Sequence, residues 1–223
     1  MSTLNGTVQT APNGSRGFDA DSVLSKETAR QFFGSGYVFC LRYLSRGGQE
    51  STSDLTTQEA SDILGAGLAL MPVQHVSAAG WQPTAALGTQ YGGTAASHAQ
   101  TIGFPAGVNV WCDLEGVDSA TTASDAIAYC NAWYTAVASA GYAPGLYVGA
   151  NCGLSGQQLY QDLEFQHYWK SESQVPVVAT RGYQMVQSLV AQPVFGIGID
   201  SDVTQADALG GRVLWLAPRP LGG

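Results

Sequence analysis

Asp113 and Glu115 stand two residues apart near the end of an apolar run, in the segment VNVWCDLEG (108–116). Two carboxyls this close cannot both ionise at ordinary cost, so one is held protonated to higher pH. An acid that keeps its proton near neutrality is what protonation of a leaving glycosidic oxygen requires. The same Asp-x-Glu pattern at a strand-to-loop transition also caps helices and solvates turns, and alone it favours that plainer role. Further acids shift the balance. Asp19 lies near the end of RGFDA (16–20), and Asp200 and Asp202 follow GIGI (196–199).

The segments that carry these acids alternate with helical patterns. RGFDA is a short first strand, and SKETARQFFGSG (25–36) a helix that Gly34 and Gly36 terminate. YVFCLRYL (37–44) is a second strand. In LTTQEASDILGAG (55–67), Thr56 and Glu59 form a capping-box signature for the next helix. LALMPV (68–73) is a third strand, TQYGGTAASHAQTIGFP (89–105) a helix, and the opening segment the fourth strand. Ile127, Cys130, Tyr134 and Val137 recur on one helical face. GLYVGA (145–150), a short helix at SGQQLYQDL (155–163) and the strand FQHYWKS (165–171) follow. RGYQMVQS (181–188) and VFGIGIDSD (194–202) then read as strands without helices between them. Eight strands alternating with helices predict an α/β fold: a single (β/α)8 TIM-like barrel whose helices are reduced or missing in the C-terminal third. An open doubly wound sheet is the alternative, weakened by the lack of a glycine-rich phosphate loop in GFDADSVL (17–24). Residues 1–15 and 213–223 read as flexible ends around a domain spanning 16–212.

Active sites of such barrels form at the C-terminal ends of the strands. Asp19, Asp113, Glu115 and Asp200 all fall there and are the catalytic candidates. Strands one and eight become neighbours on closure, which brings Asp19 towards Asp200. Alternation points Trp111, Asp113 and Glu115 to one face. Arg42, unusual inside a strand, is a candidate partner for Asp19 or Asp200, or equally a structural ion pair. Gln74 and His75 close the third strand and offer hydrogen bonds. Trp81, Trp111, Tyr147 and Trp169 offer faces for sugar stacking, although packing is the commoner role for any one of them. His98 and His167 have no ligand spacing.

Composition narrows the partners. The 223 residues are 45% hydrophobic and 12% charged, with a net charge of -8. No basic patch or tail is present, which excludes nucleic acid as the expected partner. No apolar run reaches the roughly 20 residues of a membrane span, so no membrane insertion is expected. The start MSTLNGTVQT lacks a basic region followed by an apolar one. The expectation is synthesis in the cytoplasm and signal-independent release. Cys40, Cys112, Cys130 and Cys152 sit singly in apolar segments and read as buried free thiols, with no spacing suited to zinc.

Taken in order, GFDA, FCLRYL, LTTQEASDILGAGLALMPV, GGTAASHAQTIGFP, VNVWCDLEG, AGYAPGLYVG and YWKS resemble the bacterial glycoside-hydrolase-like domains of unknown function that are related to family 25 lysozymes. The resemblance runs from Gly17 to Asp202. It implies a barrel with an aspartate on strand one, Asp-x-Glu on strand four and an aspartate on strand eight, which fall on Asp19, Asp113, Glu115 and Asp200. IDSD (199–202) leaves Asp200 and Asp202 as alternatives for the last position. By the same resemblance Glu115 is the general acid and Asp113 orients the acetamido group of the substrate. Both acids of strand four are present where many relatives have one, while Lys170 replaces a common glutamine. The implied activity is hydrolysis of β-1,4 bonds in N-acetylated polysaccharide, foremost peptidoglycan, with no metal or other cofactor. A phage or contractile-secretion system is the delivery partner that suits such a chain. The alternative is a barrel that binds glycan, or serves as a structural module, without turning it over.

Overall fold

In the computed structural model, which describes residues 3–47 and 52–219, each helix starts on a hydroxyl side chain. Ser25, Thr56, Thr84, Thr122 and Ser155 each accept a backbone N–H from the first turn, satisfying a donor the helix cannot satisfy itself. They open α1 (Lys26–Gly34), α2 (Thr57–Ala66), α3 (Ala85–Ile102), α4 (Ala123–Ser139) and α5 (Gly156–Gln161). The box expected at Thr56 is only half formed. Thr56 accepts from Glu59 N at 3.2 Å, but the Glu59 carboxylate turns away to Arg42.

Helix α3 begins at Ala85, before the expected Thr89, and holds Gly88 and Gly92 in its interior, one turn apart. Contact with α4 explains this. A Cβ on Gly88 would stand 2.2 Å from Tyr129 O, and one on Gly92 2.7 Å from Trp133 O. The two helices approach so closely that only glycine fits, and the packing outweighs glycine's poor helix propensity.

The strands are β1 (Gly6–Thr10), β2 (Arg16–Ala20), β3 (Phe39–Leu44), β4 (Ala69–Gln74) and β5 (Asn109–Leu114), followed by β6 (Ala143–Val148), β7 (His167–Lys170), β8 (Met185–Leu189), β9 (Asp200–Thr204) and β10 (Leu214–Pro218). From β2 to β8 each strand pairs in parallel with the next. β9 pairs antiparallel with both β8 and β2 and closes an eight-stranded barrel. No helix lies between β7 and β9, as expected.

The reversed direction of β9 corrects the expected placing of Asp200. Residues 190–199 are too few for the crossover of a dozen or more that a parallel return needs, so the chain turns straight back. Asp200 therefore begins a strand that descends from the mouth. It still faces β2, where it pairs with Asp19.

Within the described residues, each of the ends expected to be flexible carries a strand. β1 pairs with β10 along Gly6 to Thr10, and β10 joins β4 at Leu216–Leu70. Trp215 packs on Phe39 at 5.4 Å, and Ala11, Val213 and Ala217 join it in plugging the barrel floor. Burial of Trp215, Leu216 and Ala217 anchors β10, and backbone pairing holds the largely exposed β1 to it. The final residues of the expected tail, 220–223, lie outside the described residues.

Alternation along the strands separates two cores. Phe39, Leu41, Met71, Val73, Trp111, Trp169 and Met185 fill the barrel. Cys40, Leu44, Leu70, Val110, Cys112 and Leu146 face the helices. All four cysteines are buried free thiols, as expected. Among the described residues no helix is long and apolar enough to cross a membrane.

Candidate functional site

The parity that sends Trp111 into the barrel also sends Asp113 inwards, one layer nearer the mouth. Trp111 is fully buried, with its indole N–H on Met71 Sδ at 3.5 Å and its ring edge-on to Trp169. It forms a floor beneath the acids and offers no face for a sugar. Asp113 is buried above it, and its Oδ1 meets no hydrogen-bond partner among the described residues.

Glu115 lies just past the end of β5 and is only half-buried. Its backbone is clamped: Trp81 Nε1 donates to Glu115 O at 2.8 Å, and Gly116 N donates to Ala150 O at 2.8 Å. Trp81 thus holds the acid-bearing turn in place. Gly149 makes room for the side chain, since a Cβ there would stand 2.3 Å from Glu115 Cβ and 2.5 Å from Oε2.

Across the barrel, Asp19 accepts from the Tyr43 hydroxyl at 3.1 Å and from Gln187 Nε2 at 2.8 Å. Tyr147 donates to Gln187 Oε1 at 2.8 Å and packs edge-on against Trp169. Trp169 is buried, and its indole N–H goes to Asp202 Oδ1 at 2.8 Å. Trp169 therefore supports an acid and presents no stacking face. Asp200 and Asp202 share one side of β9, so the two alternatives resolve by depth: Asp202 is fully buried at the floor, and Asp200 is half-buried at the rim.

This crowding controls protonation. Burial, then Glu115 and Asp19, raise Asp113 well above the usual carboxylate range. Burial raises Glu115 as well. Asp19 is pushed up to about 6, chiefly by burial and partly by Asp200, against the lowering effect of the Gln187 and Tyr43 hydrogen bonds. Burial and then Asp19 hold Asp202 well above its ordinary value, while burial and then Glu172 raise Asp200. The mouth of the barrel therefore carries acids that retain protons where surface carboxylates would have lost them.

Two expected substrate contacts lie on the wrong face. Arg42 shares parity with Cys40 and Leu44 and points at the helices. It is fully buried on Glu59 at 2.7 Å and on the carbonyls of Ala20 and Ser53, away from Asp19 and Asp200. Gln74 is also buried on that face. It donates to Ser45 O and Tyr91 O and accepts from Trp133 Nε1, which spends its hydrogen bonds on the scaffold. Tyr147 does border the acids. His75 stays on the rim, stacked on Tyr43 at 4.7 Å, with Asp54 at 3.0 Å. His98 and His167 serve the scaffold, bonded to Ser45 N and to Gln184 respectively. Tyr43 and Gln187 are site residues the sequence reading overlooked. Inward parity was the available signal, with Phe39 and Leu41 for Tyr43 and with Met185 for Gln187.

Two depressions lie among the loops beyond the strand ends. One of about 730 Å3 adjoins Glu115 and is lined by Gly80, Gly116, Asp118, Thr121, Asn151 and Pro176. The other, about 400 Å3, contains Asp19, Asp21, Tyr43, Gln192 and Asp200. They lie over β5–β6 and over β2–β9, on opposite sides of the barrel mouth.

Solved structures share this architecture. The Mycobacterium tuberculosis Tat-secreted protein Rv2525c, in complex with L-tartrate, aligns with TM-score 0.66 and 17% identity over 87% of this chain and 96% of that one. An uncharacterized B. stearothermophilus protein gives TM-score 0.65 and 19% identity over 86% and 96%. The bacterial lysozyme from Streptomyces coelicolor gives 0.60 and 12% over 89% and 95%. No curated protein matches the sequence. A family model described as Rv2525c-like, glycoside hydrolase-like domain matches residues 30–204. The chain, an acid-mouthed barrel, belongs to that Rv2525c-like family of glycoside hydrolase-like domains.

Proposed function

We propose that the protein is a glycoside hydrolase that cleaves β-1,4 bonds in N-acetylated polysaccharide, with peptidoglycan as the polymer. The observation that carries this reading is the Asp113–Glu115 pair at the C-terminal end of β5, two neighbouring acids that burial raises in pKa, with Asp19 and Asp200 lining a depression across the mouth. Muramidase and endolysin structures among the similar folds support it.

Glu115 is half-buried where Asp113 is enclosed, so Glu115 is the carboxyl that reaches the leaving oxygen. Its proton passes to that oxygen as the C1–O bond breaks. The substrate's acetamido oxygen forms a bond to C1 from the opposite side, held in position by Asp113. Glu115 then takes a proton from the water that opens this intermediate. Asp19 and Asp200 balance the positive charge that develops on the sugar.

Incubation with purified cell walls tests this directly. New reducing ends and soluble muropeptides are expected. Protonated carboxyls also bind sugar hydroxyls, and a pure binder would sediment with the walls and release neither product. That outcome would replace the hydrolase with a binding module.

Gly149→Ala offers a check on the placing of Glu115. The added methyl would overlap Glu115 Cβ and Oε2, so the carboxyl must shift. A 1 Å displacement of a catalytic group costs up to roughly 100-fold in rate. Turnover on cell walls should fall by one to two orders of magnitude while the far-ultraviolet circular dichroism stays that of the wild type.

A further inference from the structure

Asp19 and Asp202 are diagonal neighbours on one face of the β2–β9 pair, where Asp19 stands opposite Asp200 and Gly17 opposite Asp202. Two buried carboxyls this close cannot both ionise at ordinary cost, so one holds a proton. The surrounding donors decide which one holds it. Asp19 receives two, the Tyr43 hydroxyl on Oδ1 and the Gln187 amide on Oδ2. Asp202 receives one, the Trp169 indole N–H on Oδ1, and its Oδ2 receives no N–H or O–H among the described residues.

The orientation of the Gln187 amide is the pivot, because oxygen and nitrogen of such a group exchange places easily in an assignment. Here its surroundings fix it. The backbone N–H of Glu172, which can only donate, points at Gln187 Oε1 at 3.5 Å, and Tyr147 donates to the same atom at 2.8 Å. The NH2 end must then face Asp19, where it needs an acceptor.

We propose that Asp19 is the ionised member of this pair and Asp202 the neutral, proton-holding one, with Gln187, Tyr43 and Tyr147 as the positioning residues that enforce the assignment. The other charged groups that act on Asp19 are acidic: Asp113 from β5 and Asp200 from β9. Anion-stabilising hydrogen bonds are therefore what keeps a charge at Asp19. Burial pushes both acids up, Asp19 to about 6, and the Gln187 and Tyr43 hydrogen bonds act against that rise at Asp19. If the hydrolase reading holds, the result is a fixed anion under the sugar, with an uncharged carboxyl beneath it.

Carboxyl-carbon NMR of aspartate-labelled protein tests the assignment without substrate. The Asp19 resonance, identified by its loss in Asp19→Asn, should titrate at about pH 6, while the Asp202 resonance remains protonated through that midpoint. Gln187→Leu and Tyr43→Phe each remove a donor and should raise the Asp19 midpoint by roughly one pH unit. Asp202→Asn keeps a neutral group in place and should move the Asp19 midpoint by less than roughly half a unit. If Gln187→Leu does not fold, Tyr43→Phe decides alone. Ionisation of Asp202 before Asp19, or an Asp19 midpoint unmoved in the folded donor variants, would overturn the proposal. Neither result depends on hydrolysis, so the assignment and the enzymatic reading stand or fall separately. Where hydrolysis is observed, the acid limb of the rate profile should follow the Asp19 midpoint in each variant.

Discussion

Glu115→Gln is expected to lower the release of reducing ends from purified cell walls by at least roughly 100-fold, the scale of a lost general acid. The substitution keeps size, shape and hydrogen-bonding capacity but removes the transferable proton. Stability should hardly change. Glu115 lies past the end of β5, and the contacts that fix it, from Trp81 to its carbonyl and from Gly116 to Ala150, are made by the backbone. Relief of repulsion with Asp113 offsets any small loss, since one of two crowded acids becomes permanently neutral. A melting temperature within about 2 °C of wild type, less than a 1 kcal/mol change produces in a chain of this size, is the expected companion result. Undiminished lysis in a folded variant would remove Glu115 from the role of proton donor.

The pH dependence follows from the same group. Burial raises Glu115, so its acid form persists to higher pH than that of an exposed glutamate. Activity should fall as pH rises through that raised value, because the proton to be donated is gone. Replacement by glutamine should remove this alkaline limb from any residual rate. A limb that survived would have to be assigned to another acid, with Asp113 the first to examine.

How far the sequence disclosed the site depended on the face each strand residue takes. Asp113 and Glu115 were legible because they interrupt an apolar run at its C-terminal end, where barrel chemistry gathers. Asp19 was legible for the same reason. Arg42 and Gln74 gave the same signal, a polar residue in an apolar strand, yet lie on the opposite face. A polar side chain there marks either a site or a buried partner, and only the register of the closed barrel distinguishes them. Tyr43 and Gln187 went unremarked because residues of their kind are ordinary in strands. The β1–β10 ribbon was missed for another reason. GTVQT is short and half polar, and what orders it is a partner strand at the far end of the chain. The direction of β9 was readable from the short 190–199 connection, although the apolar pattern alone does not distinguish parallel from antiparallel.

Arg42→Met is expected to destabilise the fold by about 3–5 kcal/mol, the cost of removing one member of a buried ion pair. The guanidinium joins four parts of the molecule. From β3 it reaches Glu59 of α2 at 2.7 Å, the carbonyl of Ala20 at the end of β2, and Ser53 O in the following loop at 2.7 Å. Glu59 in turn accepts from Leu24 N, ahead of α1, at 2.8 Å. Methionine would fill most of the volume but leave Glu59 as a buried carboxylate facing apolar side chains. Its Oε2 already lacks a partner among the described residues. At roughly 2–4 °C per kcal/mol for a chain of this length, the melting temperature should drop by about 10 °C. The double variant Arg42→Met, Glu59→Leu distinguishes lost attraction from stranded charge. With both ions gone the desolvation penalty goes too, and most of the lost stability should return. A double variant as unstable as the single one would place the cost in the lost links to Ala20, Ser53 and Leu24. In either case the acids at the mouth stay where they are, because Arg42 supports the β2–β3 wall from the helix side and touches neither Asp19 nor Asp200.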